Sequence, residues 1–186
     1  MILRKPLEAS LAAVKKAARR ALGGAVYSET GESRQQALGR LLRARGATLA
    51  LAESCTGGLA SKLMTDEAGS SDIFLGGVTA YSNASKTRLL GVGPALLGRS
   101  GAVSAECAAA MARGARRVFG SDYAGAVTGI AGPAGGTPEK PAGTVFFGIA
   151  GPRGTSSHGA LFRGTREHIR LCSANRLLDL LSKIIE

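Results

Sequence analysis

A chain of 186 residues with 45% hydrophobic content, 27 glycines and 4% aromatics can bury a full core, which excludes a disordered or repeat protein and points to a turn-rich α/β domain. The formal net charge of +11 is concentrated at one end: residues 1–46 hold ten Lys/Arg against three Glu. Those residues fall on helices whose basic side chains read as a solvated face, so no specific nucleic acid is expected as a partner.

In chain order, Leu7, Leu11, Val14, Ala18 and Leu22 recur at helical spacing, which predicts an amphipathic helix over 6–22, with Pro6 in its first turn. This helix reads as an extension packed on the core or on another subunit; a role on a membrane surface is secondary. Gly23 and Gly24 stop it. A second helix begins at Glu32 or Ser33 and ends at Gly46. From Ala47 strands and helices alternate: strand 48–52, helix 57–65, strand 74–82, helix 83–90, a short helix 94–99 and a longer one 104–119. Strand 123–128, a Gly/Pro loop 130–141, a hairpin of strands 144–150 and 155–162, and a helix 164–185 complete the chain. In that last helix Ile169, Leu171, Leu177, Leu178, Leu181 and Ile185 are expected to face inward. The alternation implies a three-layer α/β/α sandwich around a mixed, mostly parallel sheet of about five strands.

No apolar stretch reaches the ~18 residues of a membrane span, and the N-terminus lacks the order of a secretory signal, so a cytoplasmic protein without a membrane partner is expected. Cys55, Cys107 and Cys172 are odd in number and far apart, and read as reduced thiols. No group of Asp, Glu, His and Cys has metal-ligand spacing, so neither metal nor cofactor is expected.

Ligands of open α/β sheets lie beyond the carboxyl ends of the strands, and three strand exits carry suggestive residues. The first, Glu53-Ser54-Cys55-Thr56-Gly57-Gly58, offers hydroxyls and backbone N–H groups at one point; Ser54 is either a nucleophile or, like Thr56, a helix cap. Cys55 is a rival nucleophile. The second, Tyr81 to Lys86, sets a lysine one turn into a helix, where it is either solvated or, if burial lowers its pKa, a general base. His158 and His168 lie in no recognisable motif and read as surface residues. The third, Thr128 to Gly136, is a glycine loop able to cradle a phosphate, with Lys140, Arg166 and Arg170 as further candidates, although it matches neither a P-loop nor a dinucleotide fingerprint.

Taken together, Ala52–Gly58, Val78–Asn83 with Lys86 and Leu90-Gly91-Val92, Gly101–Ser104, Thr128–Pro133 and Lys140–Val145 resemble the C-terminal domain of CinA, a family that includes the nicotinamide-nucleotide amidohydrolases (PncC). The resemblance covers about residues 33–183, leaving 1–32 as an N-terminal helical extension to a domain of 33–186. It implies hydrolysis of the carboxamide of nicotinamide mononucleotide to nicotinic acid mononucleotide and ammonia, in pyridine-nucleotide salvage. Ser54 would be the nucleophile, Lys86 the general base and Tyr81 an orienting group. Thr56, Gly57 and Gly58 would hold the oxyanion. Thr128, Gly129, Gly132, Gly135, Gly136, Lys140 and Arg166 would bind substrate, chiefly its phosphate. The extra helix suggests a homo-oligomer. The alternative is a catalytically silent nucleotide-binding or competence/damage-associated regulatory module, as some members of the family have lost amidase activity.

Overall fold

The computed structural model describes residues 4–23, 28 and 31–186. Strand β1 (Leu49–Glu53) alternates leucine and alanine and is buried throughout. Leu49 and Leu51 enter a core with Leu38 and Leu42 of α2 (Arg34–Ala44), Met64 of α3 (Leu59–Thr65) and Leu177, Leu178 and Leu181 of α7 (Arg166–Ile185). Ala50 and Ala52 enter a second core with Leu90 of α4 (Asn83–Leu90) and Met111, Ala112 and Ala115 of α6 (Ala105–Phe119). Successive side chains of a strand point to opposite faces, so β1 divides two helical layers, and the α/β/α sandwich expected from the sequence is the fold observed.

The sheet has five strands in the order β2 (Phe74–Thr79), β1, β3 (Tyr123–Gly129), β4 (Thr144–Gly151) and β5 (Gly154–Leu161). The first three are parallel, and β4 and β5 run antiparallel as the hairpin predicts. The second core is built from small residues because α6 lies directly on the sheet: a Cβ added at Gly148 would strike the backbone of Ala108, and one at Gly114 the backbone of Leu90. The first core is filled by leucines, each contributing about 1.5–3 kcal/mol by burial.

Helix starts follow the capping residues. Ser33, Ser82, Ser104 and Thr165 accept from the backbone N–H of Gln36, Ser85, Cys107 and His168 at the heads of α2, α4, α6 and α7. Helix α3 begins two residues later than predicted because Gly58, at φ 95°, is left-handed, and β2 ends at Thr79, three residues before Ser82. The short helix α5 (Pro94–Ser100) has Pro94 in its first turn. Several basic side chains of the first quarter are tied to the domain: Arg34 pairs with Asp179, Arg43 donates to Gly69 O and Arg45 to Glu186 O.

Two expectations are corrected. Helix α1 (Arg4–Leu22) forms, but Leu11, Val14 and Leu22 are 54%, 64% and 60% exposed, so of its two expected placements, on the core or on another subunit, the first is not the one observed. Leu171 is 43% exposed because it lies two residues, about 200° of helix, beyond the buried Ile169. The polar link between α1 and α2 falls largely outside the described residues. Among the described residues, no helix is long and apolar enough to cross a membrane.

Candidate active site

Parallel register sets the site. Glu53 is level with Thr79 on β2 and with Val127 on β3, so Ser54 and Ala80 leave the sheet at its carboxyl edge beside Thr128, which β3 still pairs with Phe146 of β4. The Ser54 N–H donates to Val127 O (3.0 Å) and the Ala80 N–H to Glu53 O (2.8 Å), carrying the ladder one step past the strands. Helix α4 starts three residues beyond Ala80, capped by Ser82, and its Lys86 lies one turn in. Helical side chains lean toward the N-terminus, so Lys86 reaches back to the strand exits.

There its Nζ lies 3.0 Å from Ser54 Oγ, 2.9 Å from Ala80 O and 3.3 Å from Tyr81 O. Lys86 is 1% exposed and Ser54 7%. Among the described residues no carboxylate bonds to this ammonium. Its pKa is lowered, because burial penalises the charge and only the neighbouring Cys107 and Cys55 oppose the shift. Nζ donates to all three oxygens; once deprotonated it keeps two N–H groups for Ala80 O and Tyr81 O and turns its lone pair to Ser54 O–H. That arrangement can draw a proton from a serine hydroxyl. Cys55, beside it, is 5% exposed and its thiol is pushed up by burial to about 11, so no thiolate forms near neutral pH.

The turn after Ser54 is held by a group the sequence left without a role. Glu53 is fully buried, and its carboxylate accepts from the N–H groups of Gly58 (3.0 Å), Ala60 (3.0 Å) and Ser61 (2.8 Å) and from Ser61 Oγ (2.6 Å). It takes the place of a side-chain cap on α3, which Gly58 does not supply. The cap reading of Ser54 and Thr56 is thereby corrected: Ser54 Oγ faces Lys86, and Thr56 Oγ1 is buried without a hydrogen-bond partner. The Gly57 N–H donates to Ser54 O and the Gly58 N–H to Glu53, so neither of these N–H groups points at an oxyanion. Cys55 and Thr56 carry the remaining N–H groups of the turn. Arg170, a phosphate candidate from sequence, instead donates to Thr56 O (2.7 Å) and braces the turn.

A cleft of about 290 Å3 opens over this pair, lined by Ser54, Lys86 and Tyr81, by Ala102 and Val103, and by Thr128, Gly129, Gly132, Gly135 and Arg166 among others. Thr128 Oγ1 is committed to Ala102 O (2.8 Å). The Tyr81 ring is exposed, and its hydroxyl accepts from Arg166 (3.1 Å) rather than from Lys86, while a second nitrogen of Arg166 donates to Gly132 O (2.9 Å). Arg166 thus ties the glycine loop to the exit of β2 across the mouth of the cleft. Gly136 and Lys140 do not line it. The Lys140 Nζ is taken by Ser100 O and Val103 O. His158 and His168 are exposed on β5 and α7, away from the pair, as expected. A larger groove of about 680 Å3 on the outer side of the loop, lined by Pro133, Pro141, Phe162 and Ile169, shares only Ala131, Gly132 and Arg166 with the cleft. Among the described residues no group of His, Cys, Asp and Glu could hold a metal ion. The contribution of Ala102 and Val103 was hidden in the sequence, because small apolar residues before a helix carry no chemical signal.

Fold and site together define an α/β/α sandwich with a buried serine–lysine pair at the carboxyl edge of its parallel strands. Residues 31–185 match the CinA C-terminal domain, and the chain belongs to that family. A CinA-like protein of Geotalea uraniireducens is 52% identical over 166 residues, 89% of this chain and 40% of its own length; one from Synechocystis is 52% identical over 152 residues, 80% of this chain and 36% of its own length. The chain therefore spans about 40% of the length of the first of these relatives. Among solved structures, the competence/damage inducible protein CihA of Agrobacterium tumefaciens superposes with a TM-score of 0.79 at 36% identity, covering 82% of this chain and 96% of that one. The competence damage-inducible protein A of Klebsiella pneumoniae gives 0.78 at 34% identity, covering 81% and 93%.

Proposed function

We propose that the protein hydrolyses the carboxamide of nicotinamide mononucleotide, giving nicotinic acid mononucleotide and ammonia. The observation that carries the reading is the buried Lys86 Nζ, 3.0 Å from Ser54 Oγ and, among the described residues, without a carboxylate partner. Ser54 Oγ attacks the amide carbonyl carbon while its proton passes to neutral Lys86. The tetrahedral oxyanion is met by the N–H groups of Cys55 and Thr56, the two in the turn that Ser54 and Glu53 do not already engage. Collapse breaks the C–N bond; the protonated Lys86 returns its proton to the departing nitrogen and ammonia leaves an acyl-serine ester. Water, deprotonated by the same amine, cleaves the ester and restores Ser54. Burial of Lys86 serves both halves, since lowering the amine pKa enlarges its neutral fraction for the attack and makes its conjugate acid the better donor one step later.

The glycine loop between Gly129 and Gly136 supplies backbone N–H groups to the 5′-phosphate, with the Arg166 guanidinium lining the cleft beside it. The chemistry calls for no cofactor. The direct test is ammonia release from nicotinamide mononucleotide by wild type and by Ser54→Ala. Turnover by wild type and loss in the mutant with the fold retained support the reading. Tight binding by both proteins with turnover by neither would leave a nucleotide-binding module instead.

A further inference from the structure

One wall of the cleft is built from the end of α5 and the irregular backbone that follows it. Ser100 ends α5, Ser104 caps α6, and residues 101–103 run between them. Four consecutive carbonyls of this stretch are each taken by a side chain. Ser100 O accepts from Lys140 Nζ (3.3 Å), Gly101 O from Ser104 Oγ (2.9 Å), Ala102 O from Thr128 Oγ1 (2.8 Å) and Val103 O from Lys140 Nζ again (2.7 Å). Ala102 and Val103 line the cleft. Half of the fastening therefore falls to one half-buried lysine, which comes from the far end of the glycine loop.

That loop needs an anchor. Its base is closed by Ile130 N–H to Thr144 O (2.9 Å) and Gly143 N–H to Ile130 O (2.7 Å), whereas residues 133–139 are exposed throughout. Lys140 is locked in a small turn of its own, accepting at its carbonyl from Thr137 N–H (3.0 Å) and donating its N–H to Thr137 Oγ1 (3.1 Å). An ammonium on the carbonyl that ends a helix is favoured both as a charged donor and by the helix dipole.

We infer that Lys140 is a positioning residue, not a phosphate ligand: it fastens the 100–103 wall to the glycine loop and so sets the width of the cleft in which substrate lies. This rests on the proposed amidase reading. A cation already satisfied by two carbonyls gains little by turning to a phosphate and would release the wall in doing so.

The test compares Lys140→Met with wild type on two amides that differ only in the phosphate, nicotinamide mononucleotide and nicotinamide riboside. A positioning lysine predicts that kcat/KM falls about tenfold or more on both, as losing charge-assisted hydrogen bonds requires, with the ratio between them held within about twofold. Loss confined to the nucleotide overturns the proposal. Hydrogen–deuterium exchange of the full chain, without substrate, supplies a readout independent of turnover. Exchange across residues 100–104 and 131–142 rises in Lys140→Met and stays at the wild-type level in Ser54→Ala; unchanged exchange in Lys140→Met overturns the proposal even if wild type releases no ammonia. Should Lys140→Met fail to fold, Lys140→Arg carries the same two measurements, with smaller, equal losses on both amides as the supporting result.

Discussion

The exits of β1 and β3 are both glycine-rich, and from sequence both look like cradles of free N–H groups. In the structure they are opposites. The 53–58 turn is mostly committed: a buried carboxylate collects the donors at the head of α3, Arg170 braces Thr56 O, and the Gly57 N–H folds back on Ser54 O, which leaves the Cys55 and Thr56 N–H groups. The loop after β3 is exposed from Pro133 to Glu139 and is held across the cleft by Arg166 at Gly132 and by Lys140 at the 100–103 wall. Glycine content alone does not distinguish a rigid chemical turn from an open binding loop; what distinguishes them is a nearby buried anion that consumes the N–H groups. The division assigns chemistry to the first exit and binding to the second, so disturbing the turn should lower kcat and disturbing the loop should raise KM.

The largest effect belongs to the turn's hydroxyl. Ser54→Ala should lose about 10⁴-fold or more in kcat with the melting temperature little changed, measured by ammonia release and thermal unfolding. Lys86→Met should cost about 10²–10⁴-fold, the range of a general acid–base group, and it carries a pH signature besides. With the lysine pKa lowered from 10.5, kcat/KM of wild type should climb as pH rises through the lowered value and then level off. Between that value and 10.5 the unfolded chain binds the proton that the folded chain has shed, so wild-type stability should rise with pH across this window. The rise should vanish in Lys86→Met. A stability curve indifferent to the substitution would mean that Lys86 is charged in the folded state, and the general-base assignment would fail with it.

Next in size is Glu53→Gln. The amide keeps the shape but turns an N–H group toward donors that need an acceptor, so a loss of about 2 kcal/mol in stability and roughly 10–100-fold in kcat is expected, with KM within about threefold. A rise in KM alone would break the division between the two exits. Arg166→Gln sharpens the other side: it frees the glycine loop from Tyr81 and removes the cation lining the cleft, so KM for the nucleotide should rise about tenfold while kcat holds.

Most of the fold was legible in the chain because its signals are local. Alternating Leu and Ala in β1, Ser and Thr before four helices and a Gly-rich turn between the last two strands each act within a few residues. The candidate site was legible only at the strand exits. Ser54 and Lys86 are 32 residues apart, and their meeting depends on the register of β1 against β2, which no local pattern encodes. Glu53 was read as part of a motif without a role, because its partners are backbone groups that are identical at every position. Arg170 and Lys140 suggest anion contacts in the sequence, as any cation near a glycine loop does; both donate to carbonyls instead, the commoner acceptors, on which the sequence is silent.

The smallest effect expected is also the one that tests whether the 53–58 turn uses one nucleophile or two. Cys55 follows Ser54 directly, is slightly more buried, and belongs to the leucine-filled core. With its thiol pushed to about 11, the thiolate fraction at pH 7 is of order one part in ten thousand, whereas in the proposed mechanism Ser54 Oγ needs no prior ionisation, its proton passing to Lys86 during attack. Cys55→Ala should therefore keep kcat within about threefold and lose about 1 kcal/mol of stability from the vacated volume. An alkylating reagent should inactivate wild type slowly, since the sulfur is buried. Rapid alkylation accompanied by complete inactivation, abolished in Cys55→Ala, would transfer the nucleophile from the hydroxyl to the thiol and leave Lys86 to activate a different atom in the same turn.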